Sequence, residues 1–177
     1  MVSTVKTNGS AGPAKAASEP IPEVAVERKF DAERLNAVAN HPDVFPWVRG
    51  LSPGALDLSG VAENPQNGVL VSDCGAMGVT PVIPAIWEVH TQVVPEGRGA
   101  WARGFVEAAL RWMFTQTNAA ELLTRVPEGN IPAAALARSI GGRPAFDVAR
   151  GWVFEGPEVP VPVYSLTLQA WLGTHRE

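Results

Sequence analysis

The stretch WEVHTQVVPEGRGAWARGFVEAALRWMF, residues 87–114, constrains the fold of this chain more than any other. From Trp87 the residues alternate, with Trp87, Val89, Thr91 and Val93 on one face and Glu88, His90, Gln92 and Val94 on the other. That is the period of a strand with two unlike faces. Pro95 has no N–H to give a sheet ladder, so the strand ends there. Beyond Arg98-Gly99, Trp101, Phe105, Ala108 and Trp112 recur at spacings of four, three and four, which predicts one apolar stripe on a helix over 100–117. A strand entering a helix through a Gly-Arg-Gly turn leaves unpaired N–H groups at the helix start, where an anion is favoured. The unit reads as a phosphate-binding turn mounted on a strand.

The remaining signals arrange other elements around this one. Asp31 suits the cap of a helix over 32–40, with Phe30 and Leu35 placed as a hydrophobic staple, and His41-Pro42 closes it. Residues 43–67, punctuated by Pro46, Pro53, Gly54 and Pro65, read as loop with one short helix. Strands are expected over 68–75, 78–83, 119–126, 145–154 and 163–171, and a helix over 132–140 between Asn130 and Gly141. Strands interleaved with helices give an α/β (α+β) domain. Its sheet is expected to be mixed and mostly antiparallel, with the 87–94 strand central and a parallel pair around the 100–117 helix. Residues 1–28 are rich in Ala, Ser, Gly and Pro and hold no aromatic residue, so the chain divides into a flexible N-terminal arm, 1–28, and a domain, 29–177.

Composition excludes several functions. A formal net charge of −4 gives no bulk field for nucleic acid or an acidic membrane surface. The single Cys74 excludes an internal disulfide and a multi-cysteine metal site, and His41 and His175 have no ligand-spaced partners. No apolar run is long enough to span a bilayer, and a cytoplasmic location follows as the default.

The 87–114 unit resembles the acyl-CoA-binding motif of the GNAT (Gcn5-related N-acetyltransferase) superfamily, V-x-P-x-x-R-G-x-G-x-G. NIPAAALARSIGG (130–142) resembles the family's next motif, N-x-x-A-x-x-L-Y-x-x-x-G-F. LNAVANHPDVFPWV (35–48) together with EVHTQVVPEGRG is similar to GNAT-like proteins encoded by tailed phages. The resemblance implies a GNAT-like fold, acetyl-CoA as cofactor and an amine as acceptor. It implies cofactor-binding roles for Val93, Val94, Arg98, Gly99, Ala100, Trp101, Ala102, Arg103 and Asn130. Glu88 and His90, on one strand face, are the candidate bases for the ammonium proton. The pattern departs at Trp101 and Arg103, where the family has small residues, and at Ala137, where many members carry a tyrosine that protonates the leaving thiolate. Tyr164 is the only tyrosine. Two readings stay open: an N-acetyltransferase of the host cytoplasm, or a silent GNAT-fold component of a phage virion whose residues 1–28 bind neighbouring subunits.

Overall fold

The computed structural model describes residues 20–153 and 158–174. In chain order these form β1 (Glu27–Lys29), α1 (Ala32–Ala39), α2 (Phe45–Val48), α3 (Ser59–Glu63), β2 (Gly68–Ser72), β3 (Gly75–Ile83) and β4 (Ile86–Val93). A short 3-10 turn (Pro95–Gly97), α4 (Ala100–Gln116), β5 (Glu121–Arg125), α5 (Ile131–Ser139), β6 (Arg143–Val153), β7 (Glu158–Thr167) and α6 (Leu168–Thr174) follow. The strands make a single sheet in the order β1-β2-β3-β4-β5-β7-β6, with β4 at its centre. Every neighbouring pair is antiparallel except β4–β5, the parallel pair that α4 connects. This is the mixed, mostly antiparallel architecture expected from the sequence.

Each sheet face has its own apolar layer. On one, α4 and α6 pack through Phe105, Val106, Ala109, Leu110, Met113 and Trp171 onto Met77, Val79, Val89, Leu122 and Leu166. On the other, Leu35 and Val38 of α1 and Ala62 of α3 cover Val69, Val71 and Ala76. Asp31 caps α1, its Oδ1 accepting from Arg34 N at 2.8 Å. Asn36 on α1 and Asn40 at its C-cap then fix the chain that follows α2. Asn36 Oδ1 accepts from Leu58 N and Asn40 Oδ1 from Leu56 N, both at 2.7 Å.

Several local expectations need correction. The buried side of α4 carries Ala102, Phe105, Val106, Ala109, Leu110 and Met113, so of the expected stripe only Phe105 is deeply buried. Burial under both a sheet and α6 needs a wider face than one row supplies. The strand expected over 163–171 stops at Thr167, whose Oγ1 accepts from Ala170 N at 3.2 Å and starts α6 instead. That helix sets Trp171 against Phe114, with centroids 5.3 Å apart. The strand expected from residue 78 begins at Gly75, where a side chain would meet the Gln92 carbonyl oxygen at 2.9 Å. Residues 43–67 hold two short helices, not one. Phe30 is exposed under the guanidinium of Arg28, so it staples nothing to Leu35.

Residues 20–28 of the expected arm lie on the domain; residues 1–19 fall outside the described residues. Val24 is only 9% exposed within the main core, and Glu27 and Arg28 pair with Val71 and Leu70 of β2. The segment crosses α4 at Gly104, where a β-carbon would stand 2.4 Å from the Pro22 carbonyl oxygen. Composition marked this stretch as unable to build a core of its own, but it needs only to cover one already built. Deleting residues 1–28 is therefore expected to cost about 2–3 kcal/mol, a buried valine plus the hydrogen bond from Arg28 to the Asn67 carbonyl. A deletion of 1–19 provides the baseline in the same urea titration, and equal midpoints for the two would contradict this packing.

Candidate active site

The turn between β4 and α4 is shaped by two glycines with different reasons. Gly97 is buried, and a β-carbon there would meet Cys74 Cβ at 2.6 Å and the Trp101 ring at 2.8 Å. Gly99 has open space around it but holds φ +80° and ψ −133°, a conformation that side chains strain to reach. It is the N-cap of α4, and no side chain caps that helix. The first intrahelical bond runs from Arg103 N to Gly99 O at 3.3 Å. The N–H groups of Ala100, Trp101 and Ala102 thus precede the helical ladder and face an anion site by their position. Gly99→Ala is expected to cost about 1–3 kcal/mol of stability by strain alone. Differential scanning calorimetry would show it as a lower Tm, and an unchanged Tm would mean the turn relaxes freely.

Trp101 turns inward. Its ring stacks on Phe105 with centroids 5.3 Å apart at 13°, and it reaches Gly75 and Gly97. Gly75 belongs to β3, which flanks β4 on the edge away from β5. The indole therefore packs on the β3 side of β4. On the β5 side the two strands part: Ile86, Trp87 and Glu88 pair with Glu121, Leu122 and Leu123, while β4 runs on to Val93 without a partner there. Alternate main-chain groups of residues 89–93 are left facing an open fork.

Glu88 stands at the branching point of the fork. Its side chain is 13% exposed, and Oε1 lies 3.3 Å from His90 Nε2 and 3.0 Å from Arg125 Nε. The oxygen is fully buried and neither contact meets hydrogen-bond geometry, so the Arg125 guanidinium is the permanent charge set against it. Contact with the His90 imidazole keeps the Glu88 carboxyl below its usual range, opposed by burial and helped by the charges of His90 and Arg125. Gln92, next on this face, is buried with its Oε1 unpartnered among the described residues.

The other sequence candidates are dispersed. Arg98 reaches back to the Asp43 carbonyl at 3.4 Å, beside the turn. Val93 packs against the α4 side core and Val94 against the α1 side, with Val94 N donating to Cys74 O at 3.0 Å. Arg103 lines a groove of about 710 Å³ between residues 22–24 and α4. Asn130 caps α5, its Oδ1 accepting from Ala133 N at 3.2 Å. Ala137 and Tyr164 are buried together in a small core, the tyrosine ring under Arg138. Tyr164 is 3% exposed there and pairs with Thr124 of β5. Arg125 is the residue that sequence reasoning missed. Only the parallel register, with Leu123 beside Glu88, reveals that it shares the face of Glu88.

No protein-family model and no curated protein sequence matches the chain. Solved structures do match. The spermidine N-acetyltransferase of Vibrio cholerae in complex with CoA and spermine superposes with a TM-score of 0.68 at 15% identity, over 83% of this chain and 98% of that one. A GNAT-family acetyltransferase of Bacillus anthracis gives 0.64 at 13% identity, over 84% and 96%. A chimera of the Vibrio enzyme gives 0.69 at 14%, over 85% and 99%. The fold is the GNAT fold, and the fork and turn lie at its centre. Among the described residues no helix is long and apolar enough to cross a membrane.

Proposed function

We propose that this chain is an acyl-CoA-dependent N-acyltransferase that moves an acetyl group from acetyl-CoA to a primary amine. The observation that carries this reading is a conjunction at the end of β4: an uncapped helix start, an open strand fork and a Glu88–His90 pair. When bound, the cofactor supplies an activated thioester. The residues present fit it. The N–H groups of Ala100, Trp101 and Ala102 suit a diphosphate, with Arg98 beside them, and the unpaired edge of β4 suits an extended amide-bearing arm.

His90 is the proton acceptor in this scheme, because Glu88 has a lowered proton affinity and serves to hold the imidazole. With the thioester bound, the amine nitrogen, having given one proton to His90, would attack the carbonyl; the N–C bond would form as the C–S bond breaks, the nitrogen would shed its second proton to solvent, and the sulfur would leave as thiolate. With Ala137 in the family's tyrosine position and Tyr164 buried, the proton that neutralises the thiolate comes from water. An amine acceptor agrees with the spermine in the Vibrio complex.

The missing acid favours a second reading, a silent GNAT-fold virion component of a tailed phage with its N-terminal residues against neighbours. Calorimetry with acetyl-CoA and a thiol-release assay over a panel of primary amines separate the two. Heat of binding with amine-dependent thiol release supports the transferase. An absence of heat at millimolar acetyl-CoA removes the cofactor and leaves the scaffold.

A further inference from the structure

We infer that Arg125 selects the acceptor, and that the acceptor is a primary amine bearing a carboxylate a few bonds from its nitrogen. The inference rests on the transferase reading above and narrows its substrate class. Arg125 is the last residue of β5, and it spans the mouth of the fork to reach Glu88 on β4. Its side chain is 48% exposed, and Nε is the atom committed to Glu88 at 3.0 Å. Among the described residues the guanidinium has no other charged or hydrogen-bonded contact, so both terminal nitrogens keep donors free for a second anion. A guanidinium offers those donors as a planar fork that matches a carboxylate.

Charge at the site points the same way. Within ion-pair distance of Glu88 stand His90 and Arg125, so the one carboxylate of the cluster is already matched by a permanent cation. A second ammonium on the acceptor finds no unmatched negative charge there, whereas a carboxylate finds an underused guanidinium. A like charge placed beside Arg125 is penalised and an opposite one rewarded, and selectivity is the difference between the two.

The test uses two primary amines of equal chain length, γ-aminobutyrate and putrescine, with the full-length protein and acetyl-CoA. The carboxylate-bearing amine is expected to show a kcat/KM about tenfold or more above the diamine, the worth of one charge-assisted contact. Arg125→Gln should erase that ratio or turn it toward putrescine, since Glu88 is then unmatched. Arg125→Lys should keep the preference for the carboxylate while weakening it, and neither change should alter the calorimetric affinity for acetyl-CoA. Preference for putrescine in the unaltered protein overturns the inference, as does a ratio that Arg125→Gln leaves in place. Failure of acetyl-CoA to bind at all would overturn the transferase reading and this one with it, a result distinguishable from active protein with the wrong preference.

Discussion

Replacing His90 with glutamine is expected to lower kcat for acetyl transfer by about 10²–10⁴-fold, the usual worth of a positioned general base. Affinity for acetyl-CoA should not change, because His90 lies on the face of β4 opposite the core that carries α4. Glu88→Gln should lower kcat less, since it loosens the imidazole without removing the proposed proton acceptor. A larger loss for Glu88→Gln than for His90→Gln would make the carboxylate the base. The two variants also differ in acid. The folded pKa of Glu88 is lowered from an ordinary 4.5, so its contribution to stability is present above that value and is lost as pH falls through the folded one. Glu88→Gln should therefore flatten the acid limb of a Tm-against-pH curve below about pH 4.5, and His90→Gln should flatten it too by taking away the main cause of the shift. An acid limb unchanged by either substitution would mean the cluster contributes nothing to folding.

Phe105→Ala is expected to destabilise the protein by about 3–5 kcal/mol, and the Tm should fall by roughly 10 °C or more. Phe105 is fully buried, stacks on Trp101 and lies beneath Gly75, so its loss opens a cavity between α4 and the sheet. The cavity lies directly under the first turn of α4. Affinity for acetyl-CoA should fall along with stability, because Trp101 then loses its stacking partner and can swing over the N–H groups. Trp112→Ala offers the comparison. The sequence stripe ranks Trp112 with Phe105, but the structure leaves it half-buried beside Arg28. Its replacement should cost well under the Phe105 value in the same chemical denaturation. Equal costs would mean that the helix buries the stripe face after all.

The strand–turn–helix at the centre of the molecule was legible because its cues are local. Alternation from Trp87 to Val93, the stop at Pro95, and the Arg98-Gly99 turn depend on near neighbours in the chain, and the element bounds follow them closely. The Asp31 cap and the Asn130 cap are local in the same sense. The alternating stretch into Trp171 misled because Leu168, Trp171 and Leu172 satisfy helical spacing as well, and Phe114 on a distant helix decides between them.

Glu88 and His90 were found from their spacing of two on one strand. Arg125 could not be. It meets Glu88 only because β4 and β5 run parallel with Leu123 beside Glu88, a pairing made across the α4 crossover. The same holds for the open fork and for Trp101, whose ring position depends on Gly75 and Gly97 standing close without side chains. By itself the sequence determined the elements, their caps and the strand face that bears the candidate base, since backbone period and steric limits act over a few residues. The tertiary structure alone decided which charges meet, which strand edge stays unpaired and that the single tyrosine is buried, since those depend on distances between residues far apart in the chain.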